Sequence, residues 1–248
     1  LEKSNDNEKA EVPKKKLFDA LIDTISGIFQ PVLGVMSAAG MLKGLNALFV
    51  ALGWYAATDG FSILMNAIGD SMFLFLPIML GYTSAKKFNL QPFLGLVIGA
   101  SLCYPAIQAT TLSAAGKPLY ILFEGTIFAS PVYTSVFGLP LIALDYTSTV
   151  MPVILIAYIA SKFEKFFNKR IPETLKFFFV PMLIMFFALS SGFLLVGPLA
   201  TFISNIVAQG IIGIRNISPL VAGAITGGFW QVLVIFGVHC GLIPVYMN

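Results

Sequence analysis

Charge is what this sequence has least of. Only 11% of its 248 residues are charged, while 57% are hydrophobic. Soluble domains carry about a quarter charged residues, so a soluble globular fold is excluded. A mean hydropathy of +0.87 agrees, and the chain reads as an integral membrane protein. Histidine occurs once, at His239, and cysteine twice, at Cys103 and Cys240. Two distant cysteines in apolar sequence exclude a disulfide framework and any metal or redox spacing, and they read as small hydrophobes. A Gly-rich nucleotide loop is excluded too: Gly227-Gly228 follows no strand and precedes no lysine. No nucleophilic triad is visible. No cofactor, metal or nucleic-acid partner is expected.

What is present is a succession of apolar runs rich in Phe (23) and Gly (22), residues that packed membrane helices tolerate. Residues 1–16 are polar and charged; they read as a cytoplasmic linker, without the apolar core of a signal peptide. Residues 17–30 are amphipathic: Leu17, Phe18, Leu21, Ile22, Ile25, Ile28 and Phe29 recur at helical spacing, with Asp19, Asp23 and Ser26 opposite. This predicts an interfacial helix. Six spans follow, at about 31–54, 62–84, 92–111, 146–160, 177–197 and 217–236. Residues 198–214 form a second amphipathic stripe and a second predicted interfacial helix. The fold class is therefore an all-α, polytopic helical bundle of about six spans plus two interfacial amphipathic helices. Residues 112–146, broken by Pro131, Gly138 and Pro140, read as a loop with short helices.

Charges inside the spans are few. Lys43 in the first either snorkels to an interface or lines a polar path. Asp70 in the second either caps a bent helix start or is a buried functional charge. Lys and Arg placement sets the orientation. With the N-terminus in the cytoplasm, the inner segments hold Lys14–Lys16, Lys86, Lys87 and the basic stretch 162–176, while the outer ones hold only Lys117 and Arg215. The basic stretch is then a cytoplasmic flank.

The apolar run from Gly227 to Pro244 delivers His239 between Gly237 and Gly241. An ionisable side chain at that depth is a functional-site candidate by default, and the glycines let backbone turn or approach a ligand closely. The alternative is a histidine bonded to a neighbouring carbonyl for structural reasons. Trp230 and Gln231 stand just upstream, either beside the same site or as ordinary helix-packing residues.

Six pieces occur in a specific order: Ile25–Pro31, Ser37–Gly44, Leu80–Phe88, Tyr146–Pro152, Leu195–Leu199, and Gly228–Gln231 with Phe236–His239. Together they resemble enzyme IIC, the membrane part of the bacterial sugar phosphotransferase system, in the β-glucoside branch of its glucose superfamily. The resemblance covers about residues 17–244. It implies a permease of the cytoplasmic membrane that couples sugar import to phosphorylation of the 6-hydroxyl, commonly as a homodimer. A phosphorylated IIB domain, whose phosphocysteine is the donor, is the implied partner.

The resemblance places His239 at the sugar, where an imidazole both donates to and accepts from hydroxyls; Gln231 and Trp230 are the accompanying candidates. Lys86 and Lys87 are the expected docking residues for IIB, and Asp70 and Lys43 the candidates for a polar path. It divides the chain into a linker (1–16), an interfacial helix (17–30), a five-span dimerisation part (31–197) and the start of the sugar-binding half (198–248). The family's Gly-Ile-Thr-Glu-Pro motif and the Cys-x-Thr-Arg-Leu motif of IIB are not in this sequence, and Cys240 stands where the branch usually has Trp. The expectation is the N-terminal two-thirds of a IIC domain, holding half a sugar site. Two further readings are a secondary transporter or channel using His239 and Asp70 for ion coupling, and a truncated, non-transporting protein that keeps its dimer contacts. Dependence on phosphoenolpyruvate or on a proton gradient separates the first from the second.

Overall fold

A computed structural model describes residues 13–126, 129–136, 138–142, 145–147 and 149–235. Most of them are helical. Helix α1 runs unbroken from Pro13 to Ala51, with Pro31 in its interior. The interfacial helix expected at 17–30 and the first span expected from 31 are thus one element. The C-terminal part of the stripe is held by protein: Ile28 is buried and Phe29 packs against the core, while Ile22 stays exposed. Ile28 and Val32 join the main core, and Asp23 is bonded to Lys87 of another helix at 2.7 Å.

The span expected at 62–84 is two helices, α2 (Gly60–Leu74) and α3 (Leu76–Phe88), meeting at a bend of 40°. Pro77 at the second position of α3 supplies no N–H, which suits a helix start. Together α2 and α3 run antiparallel to α1, with Asp70 beside Lys43 and Lys87 beside Asp23. Asn89 closes α3 in a left-handed conformation, φ 56°, which Asn tolerates better than most residues. Lys86 and Lys87 occupy the last turn of α3, where cations complement the helix dipole. Pro92 then opens α4 (Pro92–Leu102).

The α3–α4 pair packs backbone to backbone. A Cβ on Gly81 would lie 2.2 Å from the carbonyl oxygen of Gly95, and one on Gly99 would lie 2.2 Å from that of Pro77. Small residues permit this approach where helices cannot rely on the hydrophobic effect to associate. Against this pair lie α6 (Met151–Arg170) and α7 (Glu173–Ser191). Leu80, Ile98, Leu102, Ile156 and Ile184 form the centre of the core, all fully buried. A π-helical segment, Gly192–Val196, leads without a gap into α8 (Gly197–Ile217), and α9 (Pro219–Ile235) follows. Gly192 packs closely there: a Cβ would stand 2.4 Å from Ile156 Cδ1, so any larger residue would require the Ile156 side chain to shift.

The stretch expected as a loop with short helices holds one short helix, α5 (Ala109–Ala115), and an antiparallel three-stranded sheet that an all-α expectation did not include. Its strands are β1 (Tyr120–Leu122), β2 (Ser130–Val136) and β3 (Leu139–Ile142). Ser130 and Val132 point inward while Pro131 is exposed, the period-two pattern of a strand with one covered face. Pro140 lies in the edge strand β3, where a missing N–H is tolerated.

Two helical stretches among the described residues are long and apolar enough to cross a membrane, Ile22–Ala51 and Glu173–Leu199; the bent α2–α3 pair makes a third if it counts as one span.

Candidate functional site

Three constellations of polar side chains stand out, and two contain residues singled out by sequence. The first is a seam between α1 and α2. Lys43 donates to Asp70, so the two spanning charges meet each other. Their side chains remain 43% and 51% exposed. The lysine stem crosses Gly69, whose missing Cβ makes room for it. One turn further along, Asn46 donates to Asn66 Oδ1 at 2.9 Å and to Ser62 Oγ at 3.2 Å, and accepts from the Tyr55 hydroxyl at 2.8 Å. Ser62, Asn66 and Asp70 recur every four residues and so share one face of α2. That spacing was the available signal for Ser62 and Asn66; Asn46 had none beyond standing three residues from Lys43.

The second constellation is at the opposite end of the α1–α3 pair. Lys43 stands 20 residues beyond Asp23 in α1, a rise of about 30 Å. Here Lys87 is tied to Asp23, while the Lys86 ammonium lies 4.6 Å from the centre of the Tyr82 ring. Gly27, Pro31, Tyr82, Thr83, Lys86 and Lys87 enclose a cavity of about 300 Å³. The α6–α7 turn lies at the same end. Gln91, just before α4, shares a cavity of about 460 Å³ with Glu164, Asn168 and Lys176. Burial pushes the Glu164 carboxyl above the usual range, against a backbone hydrogen bond from Gln91 and the charge of Lys165. Both basic turns and the start of α1 therefore gather at one end of the bundle.

The third was not foreseen. Between α4 and α5 the chain leaves the helix near the level of Leu74, to whose carbonyl Cys103 Sγ points at 3.9 Å. Gln108, itself buried, satisfies the interrupted backbone. Its Nε2 donates to the carbonyls of Leu102 at 2.6 Å and Tyr104 at 3.1 Å, and its Oε1 accepts from the Tyr146 N–H at 2.9 Å. Asp145 accepts from the backbone and hydroxyl of Thr110 at 3.0 and 2.9 Å. Non-helical backbone in a membrane requires this kind of internal pairing. Tyr146 is buried, and its ring meets Phe193 of the π segment edge-on at 5.5 Å.

Trp230 and Gln231 occupy the last two turns of α9. His239 lies outside the described residues, as does Cys240.

The family model described as "Phosphotransferase system, EIIC" matches residues 26–248. The chain belongs to this family. As an EIIC chain it is a membrane domain of the sugar phosphotransferase system. It is 50% identical over 232 residues to the PTS system beta-glucoside-specific EIIBCA component of Halalkalibacterium halodurans, covering 94% of this chain and 36% of that protein. The corresponding component of Dickeya chrysanthemi is 38% identical over 238 residues, covering 96% of this chain and 36% of that protein. The trehalose-specific EIIBC component of Bacillus subtilis is 30% identical over 229 residues, covering 88% and 47%. The EIIC chain thus spans about a third of the length of its β-glucoside relatives.

Proposed function

We propose that this EIIC chain is the membrane portion of a phosphoenolpyruvate-dependent permease for a β-glucoside-type sugar. In this reading the sugar's 6-hydroxyl is presented to a phosphorylated IIB domain, and the chain works as a homodimer in the bacterial cytoplasmic membrane. One observation carries the choice of sugar: identity is 50% to a β-glucoside-specific relative and 30% to a trehalose-specific one.

His239 is the residue we assign to the sugar hydroxyls, with Gln231 and Trp230 on the preceding helix. The full span count is read as six, at about 31–54, 62–84, 92–111, 146–160, 177–197 and 217–236, with 198–214 within α8 as an interfacial helix. The N-terminus is read as cytoplasmic, since Asp23, Lys86, Lys87 and the α6–α7 turn share one end of the bundle. That end is the face we assign to IIB, because clustered cations steer an acidic or phosphorylated partner. Lys43 and Asp70 are read as a self-neutralised seam holding α1 to α2, in preference to a polar path, because their charges are spent on each other.

The test is sugar phosphorylation by the full-length permease in membrane vesicles, supplied with phosphoenolpyruvate and the general phosphotransferase proteins. A β-glucoside should be phosphorylated in preference to trehalose or sucrose. Uptake that follows an imposed proton gradient without phosphoenolpyruvate would reject the proposal.

A further inference from the structure

The cavity between α1 and α3 has the make-up of a binding site for a phosphate group. Lys87 is neutralised by Asp23. No carboxylate among the described residues pairs with Lys86, which leaves one uncompensated positive charge in the cavity. The Tyr82 ring holds the Lys86 ammonium from one side, and the Tyr82 hydroxyl is a further donor. Pro31 carries no N–H, so the carbonyl of Gly27 loses its usual helical donor and is available to a hydroxyl. One positive charge, one phenol and one carbonyl match a single phosphodiester with a hydroxylated headgroup.

The surface leading away from the cavity is apolar. One turn along α1 from Pro31 stands Val35, exposed, with open space at Gly34. One turn back along α3 from Tyr82 stands Met79, and Phe75 stands at the α2–α3 break, both exposed. A cation at the mouth and an apolar track toward the middle of the span fit a phospholipid, whose acyl chains require the track and whose phosphate requires the mouth. From this juxtaposition we infer that the groove between α1 and α3 binds the phosphate of an anionic membrane phospholipid at Lys86 and Tyr82, with the acyl chains along Val35, Met79 and Phe75. Lys86 also lies on the face assigned to IIB, but lipid retention is read with neither sugar nor phosphorylated IIB present, so its failure is distinguishable from failure of the transport reading.

The test is native mass spectrometry of the full-length protein purified in mild detergent with phosphatidylglycerol or phosphatidylcholine added. The wild type should retain phosphatidylglycerol in preference to phosphatidylcholine. Lys86→Gln should lower that retention roughly fivefold, the worth of one lysine near a membrane surface. Tyr82→Phe should lower it by a smaller factor. Lys165→Gln, an exposed cation outside the cavity, should leave it unchanged. A second arm adds inorganic phosphate, alone and together with phosphatidylglycerol. Retention insensitive to phosphate assigns the site to lipid, whereas phosphate binding that Lys86→Gln abolishes and lipid does not displace overturns the lipid assignment. Equal phosphatidylglycerol retention by wild type and a folded Lys86→Gln variant overturns the site altogether. Should Lys86→Gln fail to fold, the same comparison is made with Tyr82→Phe, and equal retention there also overturns it.

Discussion

Gln108 and Tyr146, 38 residues apart, are joined by a 2.9 Å hydrogen bond from the tyrosine N–H to the glutamine Oε1. The same side chain caps the end of α4 through Leu102 and Tyr104. It therefore fixes where α4 stops relative to where α6 begins. Gln108→Leu is expected to leave the Tyr146 N–H and the Leu102 carbonyl unpaired, each costing roughly 1–3 kcal/mol, while the Tyr104 carbonyl keeps its bond from the Ile107 N–H. Thermal unfolding in detergent should show a large loss of stability or no folded protein. Tyr146→Phe provides the contrast. Its hydroxyl is buried with no partner among the described residues, so removing it should be neutral or stabilising in the same assay.

The α3–α4 contact makes a prediction of opposite signs. A Cβ on Gly95 would lie 2.1 Å from the carbonyl oxygen of Gly81, and backbone cannot swing aside as a flexible side chain can. Gly95→Ala should force the helices apart and cost about 1–3 kcal/mol or more. Gly34 sits in α1 with nothing within 4 Å. Gly34→Ala should stabilise by up to about 1 kcal/mol, the gain in helix propensity. Melting curves of the two variants that move in the same direction would contradict the packing described.

These relationships were unevenly legible. The long apolar helices α1 and α7 and the Lys86–Asn89 turn announce themselves by composition and charge. The join of 17–30 to the first span does not, because an amphipathic stripe looks the same whether lipid headgroups or another helix covers it. The sheet was hidden for a related reason: Pro131, Gly138 and Pro140 are breakers in helix and loop alike, and period-two burial spans only a few residues. Lys43 and Asp70 were each visible, but their pairing depends on the antiparallel course of α1 and α2. Gln108 carries no local signal at all, since its role is set by Tyr146, far away in the chain.

The Lys43–Asp70 pair separates a structural role from a transport role. Removing one charge leaves the other uncompensated in an apolar surrounding, so Lys43→Met and Asp70→Asn should each destabilise. The double variant should recover most of that loss, as replacing both members of a partly desolvated pair often does. Full-length protein carrying both changes should keep its sugar transport if the pair is a seam. A stable double variant that no longer transports would restore the polar-path reading.

Glu164 predicts a pH dependence. Burial raises its folded-state pKa above the ordinary glutamate value, so in the interval between the two values the folded state binds more protons than the unfolded one. Its contribution to stability is then fully present below the unfolded pKa and is lost as pH rises through the folded pKa. Wild type should lose stability relative to Glu164→Gln as pH is raised across the weakly acidic range. An identical pH profile for the two proteins would remove Glu164 from the cause.

His239 is the sharpest case, because the functional and structural readings predict different observables. It is the one histidine of the chain, flanked by Gly237 and Gly241 in an uncharged stretch. If its imidazole serves a sugar hydroxyl, His239→Ala in the full-length permease removes one hydrogen-bonding partner from a buried group. Leaving that group unpaired costs roughly 1–3 kcal/mol, which is about one to two decades in affinity. Membrane levels and melting temperature should stay near those of the wild type while sugar affinity falls. If the histidine instead pairs with a neighbouring carbonyl to hold the fold, the pattern reverses: folded protein is lost, and whatever survives binds sugar normally. Quantifying the protein in membranes alongside sugar binding decides between them. His239→Gln sharpens the decision, since an amide can donate and accept but does not take up a proton near neutral pH. It should restore much of the binding while leaving phosphorylation impaired if the imidazole also eases removal of the hydroxyl proton. Full phosphorylation by His239→Gln would confine the residue to binding alone.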